Sequence, residues 1–198
     1  MSNNPLKGGC FLSRFYITID TGTTNTRAYL WKDHTVLGVQ KRQVGVRNTA
    51  IDGNNKKLRQ AIAECIQSLL TDYEINAKSV EFVVASGMIT SNLGLLEVPH
   101  VTAPAGLDDL AAKMQKTLIP EIFTGNFYFV PGIKNLSGKI PVDQLETMDM
   151  MRGEETEAIA VIQEFQKGDP FLIIFPGSHT KVVSIDQNGK IKGCMTTL

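Results

Sequence analysis

Two short turns hold the residues best suited to chemistry. The first, Asp20-Thr21-Gly22-Thr23-Thr24-Asn25, puts a carboxylate at the end of an apolar stretch, then hydroxyls and backbone N–H groups around a glycine that admits a close neighbour. That arrangement suits a metal-bound polyphosphate. Asp20 is placed to hold Mg²⁺ through water, since this ion dehydrates reluctantly, while Gly22, Thr23, Thr24 and Asn25 can meet phosphate oxygens. A threonine-rich hairpin turn with no ligand is the competing reading of the same residues. The second turn, Pro176-Gly177-Ser178-His179-Thr180-Lys181, offers the same resources: a glycine, hydroxyl donors and a cation. His179 alone reads more simply as a structural or solvated imidazole than as a catalytic one. Ser178 lacks an evident base and orienter for a nucleophilic role. Neither turn follows a Walker or Rossmann glycine pattern.

The elements that position these turns follow from periodicity. Residues 15–20, 27–31 and 35–44 read as three strands joined by short turns, which forces an antiparallel meander. Leu58, Ala61, Ile62, Cys65, Ile66 and Leu69 then fall at helical spacing, and residues 80–85 return to a strand. A second helical stripe, Leu107, Leu110, Ala111, Met114 and Leu118, ends at Pro120; residues 127–130 form a fifth strand, and 154–165 a third helix. The order βββαβαβα predicts an α/β fold with a mixed five-stranded sheet, helices on both faces, and its last two strands parallel to the first.

The chain then begins again. Placing Gly22 on Gly177, an offset of 155, puts Ile17 and Ile19 on Leu172 and Ile174, Ala28 on Val183 and Asp33 on Asn188. A repeat at so long a period suggests two related lobes. The expected organisation is a disordered lead-in over 1–14, a first lobe over 15–168, and over 169–198 the opening meander of a second. If the lobes are related by approximate two-fold symmetry, both turns face one cleft and grip a triphosphate from either side.

Composition narrows the partners. In 198 residues, 20 Lys and Arg balance 20 Asp and Glu, so no net field draws the chain to nucleic acid or an anionic membrane. The longest strictly apolar run, 171–175, is far short of the ~20 residues that span a bilayer. Three cysteines, Cys10, Cys65 and Cys194, form no C-x-x-C or Cys/His cluster, which fits a reducing cytoplasm.

Four motifs together, Asp20 to Arg27, Ser86-Gly87-Met88-Ile89-Thr90-Ser91, Met151-Arg152-Gly153-Glu154-Glu155-Thr156 and Pro176 to Lys181, resemble the 2-dehydro-3-deoxygalactonokinase family. That family belongs to the actin-like, sugar-kinase and heat-shock-protein ATPase superfamily. The resemblance spans nearly all of the chain from Phe15 and implies a ribonuclease H-like fold. It further implies ATP and Mg²⁺ as cofactors, phosphorylation of the 6-hydroxyl of 2-dehydro-3-deoxy-D-galactonate, and a homodimer. Glu154 stands where related sugar kinases carry the Asp that takes the proton from the attacking hydroxyl, with Asp149 and Glu155 as alternates. Acidic residues that only complement a helix dipole are the competing reading. Arg27, Arg152 and the loop holding Gly87, Met88, Ser91 and Asn92 are candidates for the sugar acid. Asn92 and Leu95 stand where relatives often carry Arg and Trp, which leaves the acid itself open. In the family the adenosine-binding part lies beyond the position of Leu198, so weak or no kinase activity is expected of the chain alone. Other readings are a kinase for another sugar acid or hydroxy acid, an iron–sulfur ATPase activator, which the cysteine placement disfavours, and a non-catalytic ligand-binding remnant.

Overall fold

The computed structural model describes residues 14–136, 142, 147–165, 168–177 and 179–197. The lead-in up to residue 13, with Cys10, and Ser178 lie outside them. In chain order the strands and helices are β1 (Phe15–Thr21), β2 (Thr26–Lys32), β3 (Thr35–Arg42), α1 (Val46–Asp52), α2 (Lys56–Asp72), β4 (Val80–Gly87), β5 (Val101–Thr102) and α3 (Leu107–Lys113). They continue with β6 (Gln115–Ile119), β7 (Phe123–Phe129), β8 (Ile133–Lys134), β9 (Met150–Met151), α4 (Glu154–Glu164), β10 (Phe171–Phe175), β11 (Thr180–Ile185) and β12 (Ile191–Thr197).

The main sheet runs β3-β2-β1-β4-β7-β6. β1, β2 and β3 pair antiparallel, while β4 lies parallel to β1 and β7 parallel to β4, as the helical crossovers require. This mixed sheet in an α/β chain is the ribonuclease H-like arrangement expected from the sequence. Alternation along β1 and β2 turns Ile17, Ile19, Ala28 and Leu30 to one face, where the buried stripe of α2 covers them. Helices were expected on both faces, but α3 and α4 contribute nothing to this core. The opposite face carries instead a row of rings in which Tyr16 stacks on Trp31 and Phe82, and Phe82 meets Tyr128 edge-on.

The sheet has six strands, not five. The stripe read as one helix through Leu118 stops at Lys113, and Gln115–Ile119 forms an edge strand antiparallel to β7. Of that stripe only Leu110 is buried, whereas Leu107 and Leu118 are 50% and 60% exposed. The spacing matched a helix of which only Leu110 has a core to face. Met114 already has extended geometry, and β6 alternates half-buried and exposed residues as an edge strand does.

A second core gathers Ala105, Leu110 of α3, Ile133, Met151, three residues of α4, and Val183, Ile185, Ile191 and Cys194 of the last meander. Reciprocal backbone hydrogen bonds between Ala105 and Ile191, 3.0 and 2.8 Å, tie the middle of the chain to β12. β5, β8 and β9 form a small sheet beside it.

β10, β11 and β12 pair antiparallel as β1, β2 and β3 do. Buried Thr26, Ala28 and Leu30 correspond to buried Lys181, Val183 and Ile185, and a register irregularity recurs at Leu30/Trp31 and Ser184/Ile185. The offset of 155 holds in the second strands but fails before the turn and shifts by one again in the third strands, where Cys194 pairs with Val183 as Gln40 pairs with Ala28. The first hairpin closes on Thr21 and Thr26, the second on Phe175 and Lys181, so the second turn is one residue longer. Ile17 and Ile19 therefore match Phe171 and Ile173. Leu172 and Ile174 are about 60% exposed on the outer face.

Candidate active site

Three segments converge beside Asp20. The first is its own turn. Gly22 N–H donates to Asn25 O (2.8 Å), and the carbonyls of Gly22 and Thr23 accept from Val46 N (3.2 Å) and Arg47 N (2.9 Å) at the start of α1. Gly45 permits this contact, since a Cβ there would stand 2.5 Å from the carbonyl oxygens of Gly22 and Thr23. With those carbonyls engaged, the exposed tip presents the hydroxyls of Thr23 and Thr24, the latter accepting from Asn25 Nδ2 (2.9 Å). Buried Thr21 and Thr26 share a hydroxyl contact beneath the turn, and Thr26 donates to Val44 O (2.8 Å).

The second segment is the end of β4. Gly87 has φ 81°, and a Cβ would lie 2.6 Å from Thr21 O and 3.0 Å from Asp20 Oδ1. The third is the start of α4, where Gly153 (φ 122°) packs so that its Cβ position is 3.5 Å from Gly87 Cα. Two glycines thus let the backbone before α4 approach Asp20.

Asp20 pairs across the hairpin with Arg27, Oδ2 to Nη1 3.1 Å, both side chains being more than 40% exposed. Burial raises its pKa, the Arg27 hydrogen bond and charge lower it, and Glu154 raises it again. Glu157 is raised by burial, then by Asp20 and Glu154, and lowered by Arg27. Sequence reasoning missed Glu157; its signal was the three-residue spacing from Glu154, which places both on one helix face.

The three acidic candidates have separate environments. Glu154 is half-buried and accepts from Arg152 N–H (3.2 Å). Glu155 is fully buried, its oxygens accepting from Gly153 N–H at 2.9 and 2.7 Å, and burial pushes its carboxyl up to about 8 against those bonds. Asp149 Oδ1 pairs with Lys181 Nζ (3.1 Å), and its Oδ2 accepts from the Thr196 hydroxyl (2.7 Å). Burial alone would raise Asp149, but the hydrogen bonds of Thr196, Met150 N–H and Lys181 hold it below its ordinary value. Lys181 is itself 8% exposed and also donates to Met150 O (2.8 Å) and the Thr196 hydroxyl. It faces inward from the second turn, while Gly177 and His179 are exposed and Thr180 opens β11.

Beside Glu154 opens a cavity of about 420 Å³. Of the sequence candidates, Met88, Ser91, Asn92, Arg152 and Glu154 line it, while Gly87 and Arg27 lie on the Asp20 side. Met150 and Met151 supply apolar wall, and Glu97 and His100 add polar groups that no sequence motif marked. Arg152 acts as a strut: Nη1 donates to Thr90 O (2.6 Å) and the Thr90 hydroxyl, and Nη2 donates to Val98 O (3.0 Å) and contacts the His100 ring (3.2 Å). Burial, with Arg152 and Lys134 nearby, lowers His100 to about 4, so its ring is neutral at pH 7. Among the described residues no three His, Cys, Asp or Glu side chains converge tightly enough to ligate a metal directly, and no helix is long and apolar enough to cross a membrane. Cys65 and Cys194 are both buried and unpaired with each other.

Comparison with known proteins bears on this geometry. The family model for 2-keto-3-deoxy-galactonokinase matches residues 20–198. The 2-dehydro-3-deoxygalactonokinase of Escherichia coli K12 is 27% identical over 171 residues, covering 86% of this chain and 49% of that protein. The chain thus spans about half the length of the curated relative it matches. The crystal structure of a proposed 2-dehydro-3-deoxygalactonokinase from Sinorhizobium meliloti aligns with a TM-score of 0.68 at 24% identity, over 91% of this chain and 53% of the other. A reductive activator for a corrinoid, iron–sulfur protein aligns with a TM-score of 0.54 at 19% identity, over 96% of this chain and 31% of the other. Both structural likenesses concern the fold.

Proposed function

Because the chain belongs to the 2-keto-3-deoxy-galactonokinase family, we propose that it serves transfer of the γ-phosphoryl group of ATP to the 6-hydroxyl of 2-dehydro-3-deoxy-D-galactonate. The observation that carries this reading is the position of Glu154, which couples electrostatically to Asp20 beside the first turn and also walls the cavity. Glu155 is sealed in the core and Asp149 is bound to Lys181, so Glu154 is the acid of the three that can reach a substrate. Its carboxylate takes the acceptor's proton as the hydroxyl attacks. Met88, Ser91 and Asn92 form the wall against which the acceptor is positioned, and phosphoryl transfer asks mainly for positioning and charge stabilisation.

Gly22, Thr23, Thr24 and Asn25 receive phosphate oxygens at the first turn. Gly177, Ser178, His179 and Thr180 serve the same end from the second, while Lys181 holds Asp149 in place. The donor set at Asp20 suits a hydrated Mg²⁺: Glu154 and Glu157 both interact electrostatically with Asp20, and Gly87 leaves Asp20 Oδ1 uncovered by a side chain. When bound, that ion would neutralise charge on the transferring phosphates.

The test is ³¹P NMR of the chain with Mg-ATP and the keto-deoxy acid, at protein concentrations high enough to register slow transfer. A phosphomonoester at C6 is expected, and Glu154→Gln should lower its rate by ~10²–10⁴-fold. An ester at a hydroxyl other than C6, or an unchanged rate in the variant, would refute the assignment.

A further inference from the structure

The cavity beside Glu154 has a charge pattern that bears on how an acid substrate enters it. Its lining contains one cationic side chain, Arg152, and two carboxylates, Glu97 and Glu154. Both N–H groups of each terminal guanidinium nitrogen face protein partners: Thr90 O and its hydroxyl for one, Val98 O and the His100 ring for the other. Bidentate recognition of a carboxylate by the guanidinium fork would strip hydrogen bonds from those carbonyls. Glu97 also lies close enough to Arg152 to act on its charge. The pocket therefore offers an anion little attraction and two repulsive neighbours.

For hydroxyl groups the same lining is well suited. The His100 ring is held between Arg152 and Gly132, where a Cβ would come within 2.8 Å of the imidazole. Arg152 Nη2 lies 3.2 Å from both ring nitrogens, so either can accept from it, and the neutral ring keeps one N–H donor beside the guanidinium. Asn92 and Glu97 add further hydrogen-bonding groups to the lining, whereas the Ser91 hydroxyl donates to Met88 O (2.7 Å); Glu97 is exposed and acceptor-only when ionised.

We propose that His100 and Glu97 form a hydroxyl-reading subsite, so that the sugar acid enters with its polyhydroxyl end against them and its carboxylate directed outward to solvent. This inference rests on the sugar-acid kinase reading and assigns specificity within it to two residues outside the four motifs.

All of the lining lies within this chain, so binding can be measured on it directly by titration calorimetry. The probes are 2-dehydro-3-deoxy-D-galactonate and its neutral methyl ester. The ester should bind within about 3-fold of the acid. His100→Ala and Glu97→Ala should each weaken both probes by roughly 3- to 10-fold, the loss of one hydrogen bond. An acid that binds more than 10-fold tighter than its ester, or an acid tightened by Glu97→Ala with the ester unaffected, would place the carboxylate inside and overturn the inference while leaving the kinase reading intact. Unchanged affinities in both variants would overturn it equally. Binding of neither probe to the unaltered chain would remove the sugar-acid reading, and the subsite with it. Glu97 is exposed, so its variant decides the matter even if His100→Ala disturbs the Arg152 strut.

Discussion

Replacing Glu155 by Gln should change how stability depends on pH, by an amount set by the carboxyl's burial. In the unfolded chain this group titrates near its ordinary 4.5; in the fold, with no exposed surface, it titrates at about 8. Below pH 4.5 both states are protonated and its full contribution to stability is present. Between 4.5 and 8 only unfolding releases the proton, so stability falls with rising pH by about 1.4 kcal/mol per unit. Across the window the loss amounts to about 5 kcal/mol and is complete above pH 8. The Gln variant stays neutral and lacks this slope. Urea denaturation of both proteins at pH 5, 7 and 9 measures the difference directly. Relative to the parent, the variant should gain several kcal/mol between pH 5 and 9, with a corresponding rise in Tm of roughly 2–4 °C per kcal/mol. A difference that stays flat within about 1 kcal/mol would show that Glu155 is ionised inside the fold and that its two bonds to Gly153 N–H outweigh burial.

Other substitutions separate the remaining contacts. Gly87→Ala places a methyl 2.6 Å from Thr21 O at φ 81° and should cost at least about 2–3 kcal/mol in thermal or urea unfolding. Gly53→Ala, with φ 67° but open space, should cost only about 1 kcal/mol, so equal losses at the two sites would discount the steric argument. Lys181→Met leaves Asp149 without its cation and should lose about 3 kcal/mol, part of which Asp149→Asn restores in the double variant; additive losses would contradict the pairing. Leu118→Lys should alter stability by less than about 0.5 kcal/mol because Leu118 faces solvent on β6, whereas a large loss would bring back the core helix.

The sequence was most legible where local pattern and tertiary role coincide. Alternation in residues 15–44 and the stripe of Leu58 to Leu69 produce the observed strands and helix, because each apolar face has a partner in the same core. The stripe from Leu107 to Leu118 shows the opposite case, a helical spacing with a single buried member. Register across the second turn was out by one residue because side chains alternate with period two and the hydroxyl-rich turn could be aligned at either length. At the site, Asp20 and Glu154 stand out by motif, and the structure brings them into electrostatic contact. Lys181 looked like a free cation because lysines are rarely buried; its partner Asp149 lies 32 residues away, beyond any local pattern. His100 and Glu97 join the cavity through Arg152, a contact that spans more than 50 residues and leaves no periodic trace.

The two cores have different schedules during synthesis. Every residue of the first cluster lies between Ile17 and Phe129, so that core has all its parts once β7 has left the ribosome. The second cluster joins Ala105 and Leu110 to residues as late as Cys194, and its Ala105–Ile191 ladder waits for the synthesis of β12. For about the time needed to make those intervening residues, at ~5–20 residues per second, Leu110 of α3 and the apolar face of α4 have no partner. The nascent chain thus carries a finished sheet core trailing an unsealed apolar surface, the form in which this protein is most open to chaperones and to aggregation.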